Sequence, residues 1–206
     1  MGVLSPSVSI TRYRVAGKLP EPVLETVIDA LRRHAILDID NEAAEKSCGW
    51  TSFENPFTPD FEGSTHLFGA YLVFSLRIDK KNIPSKILKK QYVIEEKKRL
   101  DASGRQFFSR AEKKLIKEEL LHHLSLRIPA TPHIYDLIWN YEEEKLWFFS
   151  NLKAANEELE ALFSESFKLS LIRMFPYTAA ELDAGLSDAE RDRLNRLSPI
   201  SMTART

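Results

Sequence analysis

The stretch STHLFGAYLVFSLRI, from Ser64 to Ile78, is rich in leucine, aromatic and β-branched side chains. These residue types favour a pleated and half-buried backbone, so the stretch predicts one long strand inside a sheet. Further along the chain, HIYDLIWN and KLWFFSN lie on either side of the polar turn YEEE. Two such runs across a short turn predict a β-hairpin. This half of the chain therefore predicts a sheet with antiparallel neighbours.

Amphipathic helices are predicted around this sheet. In LPEPVLETVIDALRRH, apolar residues recur at i, i+3, i+4 and i+7 after a proline, which is typical of the start of a helix. Further strands are predicted at residues 7–15, in GWTSF and in FKLSLIRM, and further helices at about 153–166 and after Ser187. The mixed order predicts an α+β fold with an antiparallel or mixed sheet, packed helices and a basic two-helix arm.

The domain organisation follows from the same pattern. We expect one domain over residues 1–198, and we refer to its predicted helical pair, at about 79–128, as the basic arm. Pro84 suits a first helical turn, and the first helix should end near Gly104. Ser109 and Glu112 have the spacing of a capping box and predict the start of the second helix. Residues 199–206 are predicted to form a loose tail.

Composition limits the possible classes of protein. The chain has 206 residues, 43% of them hydrophobic and 29% charged, which is ordinary for a globular protein. No segment approaches the roughly 18 apolar residues of a membrane span, and the first residues lack the apolar core of a signal peptide. The single cysteine, Cys48, excludes an internal disulfide. These features predict a cytosolic protein without membrane partners.

The net charge of −1 is unevenly distributed along the chain. Residues 77–117 contain 14 Lys and Arg against five Asp and Glu, a net charge of +9 that leaves −10 for the remainder. Such segregation indicates an anionic partner for the basic segment.

The spacing of the cations inside the basic arm predicts on which face of each helix they lie. At about 100° per residue, the lysines of the first helix share one narrow sector, and Ile87, Leu88, Tyr92 and Ile94 lie roughly opposite. An apolar side seated on the body and an outward cationic stripe without carboxylate neighbours are therefore predicted. The second helix repeats the stripe at i, i+3, i+4 and i+7. The two stripes consist of Lys86, Lys89, Lys90 and Lys97, and of Arg110, Lys113, Lys114 and Lys117.

The loop between the two predicted helices contains Arg105, Phe107 and Phe108. Arginine in this position would hold a phosphate, and an exposed phenylalanine would stack or wedge against bases. Large aromatic side chains are more often buried, so packing beneath the loop is the favoured expectation for the two phenylalanines.

The sequence contains only weak matches to the motifs of known classes of enzyme. Pro59–Asp60, followed by Glu96-Lys97-Lys98, mimics a metal-dependent nuclease, but the second triplet lies in a predicted helix in a lysine-rich run. The adjacent His122 and His123 diverge by about 100° and cannot share a metal. No phosphate-binding glycine loop or nucleophile elbow is present. We therefore expect a protein that is not an enzyme and has no cofactor or metal.

The order of several segments resembles the recombination-associated protein RdgC family of bacteria. The matching segments are GWTS (Gly49–Ser52), SLRIDKKNIPSKIL (Ser75–Leu88), SRAEKKLIKEELL (Ser109–Leu121), DLIWNYEEEKLWFFS (Asp136–Ser150) and FPYT (Phe175–Thr178). The resemblance implies a homodimer that encircles duplex DNA, restrains a RecA-type recombinase and associates with the nucleoid. Lys80, Lys81, Arg110 and Lys113 lie at positions where the family pattern is also basic, so the resemblance implies that they contribute to DNA binding. The members are longer at their carboxyl end, and the aromatic of their projecting finger has no match in LLHHLSLRI.

Three hypotheses follow. The first is a sequence-independent binder of duplex DNA, since lysine offers a point charge and little base-edge geometry. The second is a protein-interaction module whose basic arm docks an acidic partner or the acidic part of its own dimer mate. The third is the nuclease. Under the first hypothesis the DNA-binding residues are Lys80, Lys81, Lys86, Lys89, Lys90, Lys97, Arg105, Arg110, Lys113, Lys114 and Lys117.

Overall fold

A computed structural model describes residues 2–61 and 67–197, and within these ranges it contains seven strands and six helices. The strands form one curled sheet in the order β2-β4-β5-β6-β1-β7, with β3 paired to β4 at the side. The strands are β1 (Thr11–Ala16), β2 (Lys46–Thr51), β3 (Leu67–Phe68), β4 (Tyr71–Lys80), β5 (Thr131–Asn140), β6 (Lys145–Phe148) and β7 (Ser170–Arg173). The helices are α1 (Val23–Arg33), α2 (Ser85–Ser103), α3 (Arg110–Ser125), α4 (Lys153–Phe167), α5 (Pro176–Asp183) and α6 (Asp188–Asn195).

The predicted α+β class is confirmed. Each pairing between the named strands is antiparallel, and the parallel component is an isolated bridge between Ala35 and Trp50. The predicted strand at 64–78 is divided, because a turn at Gly69, with φ of 64°, separates β3 from β4. Residues 64–66 of that prediction, and the predicted tail at 199–206, lie outside the described residues. The extent of the domain stays a prediction.

The hydrophobic core lies between one face of the sheet and helices α1 and α4. Alternate residues of β4 point toward these helices, and Leu72, Phe74 and Leu76 are fully buried there. The Trp50 ring meets the Phe74 ring edge to face at 5.2 Å, and its indole N–H donates to Ser166 Oγ at 2.8 Å. A buried tryptophan thus contributes a large apolar area without leaving its donor unpaired.

The outer edge of β2 is covered by the chain that leaves α1. The Ile36 N–H donates to the Trp50 carbonyl, and the Trp50 N–H donates to the His34 carbonyl, both at 2.9 Å. A side chain at Gly49 would place its Cβ 2.5 Å from backbone atoms of Ile36. Glycine in the GWTS segment therefore permits this close backbone approach.

The described residues contain no helix that is both long enough and apolar enough to cross a membrane.

Candidate nucleic-acid interface

Helices α2 and α3 form the basic arm as a helical hairpin with well-defined ends. Gly104 ends α2 in the left-handed region, with φ of 67°, which glycine adopts without strain. Ser109 begins α3 with a capping box, in which its N–H donates to the Glu112 carboxylate at 2.8 Å and its Oγ accepts from the Glu112 N–H at 3.3 Å. These hydrogen bonds hold the pKa of Glu112 below its usual range. Both ends were predicted from sequence and are confirmed.

Ion pairs join the two helices of the arm. Lys113 lies 3.1 Å from Glu96, and Arg99 lies 2.7 Å from Glu119. The hydrogen bond to Glu96 raises the pKa of Lys113, so this ammonium group stays charged. Half-buried Leu88 and Tyr92 of α2 supply apolar surface beside the first turns of α3. The hairpin is thus held together by both polar and apolar contacts.

The arm does not rest on the body through α2 in the predicted manner. Leu88 and Tyr92 are half-buried, but Ile87 and Ile94 are 43% and 52% exposed, and α2 has no buried residue. The prediction that all four seat the helix on the body is therefore wrong: Ile87 and Ile94 are exposed, and Leu88 and Tyr92 line a groove with residues of α3. The physical reason is that α2 packs on α3.

The basic face of α3 and one lysine of α2 line a groove of about 510 Å³ between the two helices. Half-buried Leu88 and Tyr92 contribute its apolar part. The cations that line it are Lys89 from α2 and Arg110, Lys113, Lys114 and Lys117 from α3. We refer to this feature as the basic groove. The remaining lysines of the α2 stripe, Lys86, Lys90 and Lys97, are exposed about 60–100° around the helix axis from Lys89.

Most of these cations have no carboxylate partner. The cations without an ion pair to any described residue are Lys86, Lys89, Lys90, Lys97, Arg110 and Lys117. Exposed like charges that are not neutralised by their own chain raise the local potential and attract anions.

Three of the predicted residues are already paired, so the prediction of a stripe without carboxylate neighbours is wrong for them. Besides the pair of Lys113 with Glu96, Lys114 lies 3.6 Å from Glu118 and Arg105 lies 2.7 Å from Glu112. The Lys114 side chain is 79% exposed, and an exposed pair of this kind contributes little to stability. Such pairs exchange readily for contacts with another anion.

Lys81 is not part of the exposed surface. It is 9% exposed, and its ammonium group donates to the carbonyls of Asp40, Glu42 and Ser125 at 3.0, 2.7 and 2.6 Å. The prediction that Lys81 binds phosphate is wrong, because all three of its donors are used inside the protein. Lys81 instead ties the end of β4 to the end of α3.

Lys80 is exposed, but it lies away from the basic groove. Successive strand residues point to opposite faces of a sheet, so Lys80 shares the face of α4. It lines a small cavity with His133, Tyr135 and the first residues of α4. Lys80 therefore does not line the basic groove, and its contribution to DNA binding stays a prediction.

The tip of the hairpin exposes an aromatic ring. Phe107 is 77% exposed and lies with Arg105 in the loop, whereas Phe108 is half-buried. The favoured expectation of packing beneath the loop is wrong for Phe107. The polar and charged residues on both sides of the Phe107–Phe108 pair in GRQFFSR were a signal for exposure, but sequence gives no measure of how far a loop stands from the body.

The described residues contain no group of three or more His, Cys, Asp or Glu residues that could hold a metal ion. Glu96 of the nuclease-like pattern is engaged by Lys113, and it also accepts a hydrogen bond from the Tyr92 hydroxyl at 3.3 Å. Burial raises the pKa of the Cys48 thiol to about 11, so this cysteine stays protonated and a poor nucleophile near neutral pH.

Fold and site together define an α+β protein with a two-helix arm that presents a cationic groove. No model of a known protein family matches the chain, and no curated protein matches it. Any functional assignment consequently depends on the arm itself and on the segment resemblance described above.

Proposed function

We propose that the protein binds duplex DNA without sequence preference, through the phosphates, by means of the basic arm. The observation that carries the proposal is the basic groove, in which cations from two helices line one surface and three of them, Lys89, Arg110 and Lys117, have no carboxylate partner among the described residues. At 1.5 Å per residue, α2 from Lys86 to Lys97 spans about 16 Å, which reaches several phosphates of a duplex.

Sequence independence follows from the chemistry of the surface. Lysine dominates it, and an ammonium group forms contacts of similar strength with any phosphate. Base discrimination requires side chains with several donors and acceptors placed against base edges in a groove of the DNA. The cationic stripes offer few such groups.

The dependence of duplex affinity on salt tests the proposal directly. Three to six phosphate contacts predict a slope of log K against log salt between about −3 and −5, at about 0.9 per neutralised phosphate. The slope is obtained by fluorescence anisotropy with two labelled duplexes of unrelated sequence. We expect the same slope for both duplexes, and a slope near zero would contradict the proposal.

The exposed tip of the hairpin adds a second contact to the same proposal. Phe107→Ala is expected to weaken duplex binding, because an exposed apolar ring can insert as a wedge between two base steps of a duplex and stabilise its bent form. Stability should not change, since the ring is 77% exposed. Anisotropy and urea denaturation measure the two quantities.

Phe57→Ala is the matched control for the tip, because Phe57 is 64% exposed in the segment between β2 and β3, away from the arm. Equal weakening by both substitutions would show that the loss is not specific to the tip.

The resemblance of segment order to the RdgC family supports the proposal independently of the charge distribution. Under it, the protein would act as a nucleoid-associated homodimer and limit a RecA-type recombinase. A strand-exchange reaction with and without the protein measures this activity. Unchanged exchange at saturating protein would remove the recombinase from the proposal and leave DNA binding intact.

A second candidate function is the docking of an acidic protein partner or of the acidic part of a second copy. The apolar part of the basic groove, formed by Leu88 and Tyr92, favours it, because an acidic amphipathic helix would fit such a floor with a cationic rim. The size of the protein in solution, with and without a short duplex, separates the two functions. Concentration-dependent dimers that ignore the duplex would favour self-docking.

A further inference from the structure

A row of aromatic side chains crosses the sheet face that points away from α1 and α4. Phe68 and Tyr71 are cross-strand partners, 51% and 41% exposed, and Trp147 on β6 is half-buried. The Tyr71 and Trp147 rings lie 6.3 Å apart between centroids, at an interplanar angle of 51°. We refer to these three residues as the aromatic row. At this end of the sheet the neighbouring rings offer flat apolar surfaces to a ligand, whereas Val73 and Ser75, further along the same face of β4, are buried.

Cations border the aromatic row. Arg12 on β1 is the register partner of Trp147, is exposed, and has no ion pair to any described residue. Arg14, which lies 3.8 Å from Glu144, is the next residue of β1 on the same face. Arg12, Arg14 and Trp147 line a cavity of about 660 Å³, which is within the ordinary size range of ligand sites. The cavity is also lined by Glu143, Glu144 and Lys145 from the turn before β6 and its first residue, and by Ala179 and Leu182 of α5.

We propose that this face binds single-stranded nucleic acid, with unpaired bases stacked on Tyr71 and Trp147 and a phosphate held by Arg12. Aromatic rings on an open sheet stack any base, and an adjacent arginine compensates the backbone charge. A duplex does not fit this surface, because the faces of its bases are already stacked inside the helix. The site is distinct from the basic arm, so the inference does not depend on the proposed function.

The distribution of tryptophans provides a specific readout. The sequence contains three tryptophans, and Trp50 and Trp139 are 0% and 1% exposed. Trp147 is the one that a ligand in solution can reach. Quenching of tryptophan emission by an oligonucleotide consequently reports on Trp147 and therefore on the aromatic row.

Titration with a short oligothymidylate tests the inference. We expect saturable quenching of the tryptophan emission, and we expect Tyr71→Ala to weaken binding about tenfold, as loss of one stacked base predicts. Arg12→Ala should weaken binding and lower its dependence on salt. Trp147→Phe should abolish the quenching while a labelled oligonucleotide still binds, because phenylalanine also stacks on bases.

Controls separate this site from the arm. The double substitution Lys89→Ala with Lys117→Ala should leave the quenching and its midpoint unchanged. Absence of quenching would overturn the inference, as would binding that Tyr71→Ala does not alter or that the arm substitutions abolish. Burial of Trp147 in a dimer of this chain, seen as emission that becomes resistant to iodide as protein concentration rises, would also overturn it.

Discussion

Replacing Lys89, Arg110 and Lys117 together by alanine is expected to weaken duplex binding about 100-fold or more near 0.1 M salt. These three cations line the basic groove and have no carboxylate partner among the described residues. Each lost phosphate contact should reduce the salt slope by about 0.9, so the slope should fall by about 3. The fold should persist, because all three side chains are exposed. Anisotropy with duplexes of unrelated sequence measures the affinity and the slope.

A matched control removes cations from another part of the surface. Lys18 and Lys153 are exposed on the body, outside the basic arm. Their joint replacement by alanine should change affinity only slightly, because they add to the overall charge without lining the groove. If both sets of substitutions weakened binding equally per charge removed, the DNA would be responding to net charge and the basic groove would not be the site. A loss confined to one DNA sequence would indicate base readout instead.

The second large effect is expected from Lys81→Ala, and it concerns stability. The ammonium group donates to three carbonyls at 9% exposure, so the substitution removes three hydrogen bonds from a charged donor and leaves their acceptors inside the protein. Hydrogen bonds to charged groups contribute about 1.5–3 kcal/mol each. Part of that loss is offset because the alanine variant no longer has to bury a charged group. We expect a loss of about 3 kcal/mol in the free energy of unfolding, measured by urea denaturation.

Lys80→Ala is the control, since Lys80 is the exposed neighbour of Lys81 on the same strand and has the same charge. Its substitution should change the free energy of unfolding by less than about 0.5 kcal/mol. Equal losses for the two variants would contradict the structural role of Lys81. At protein concentrations and temperatures where the Lys81→Ala variant stays folded, its affinity for duplex DNA should remain close to that of the unchanged protein.

Local patterns predicted much of the fold and of the basic arm. The capping box at Ser109 and the glycine end of α2 depend on residues within a few positions, so sequence is enough to place them. Helical spacing also predicted the two cationic faces. The position of Lys89 beside the cations of α3 at one groove requires the packing of α2 on α3, which spacing alone does not determine.

Several of the incorrect predictions share a physical cause, which is dependence on residues far apart in the chain. In the sequence, Lys81 is one cation in a basic run. Its burial depends on the carbonyls of Asp40 and Ser125, which the fold brings to its ammonium group. The ion pair of Lys113 with Glu96 likewise joins two helices. The aromatic row brings Tyr71 of β4 together with Trp147 of β6, which are separated by β5 in the sheet. Pattern analysis of single segments has no access to such pairings.

The absence of buried residues in α2 has a mechanical consequence. Segments with few buried apolar contacts open locally at low free energy, whereas core strands open only with the whole domain. Amide hydrogens of α2 should therefore exchange with solvent much faster than those of β4, whose residues from Leu72 to Leu76 are buried. We therefore expect the basic arm to deform more easily than the sheet, so that it can adjust to the curvature of a bound polymer without straining the sheet.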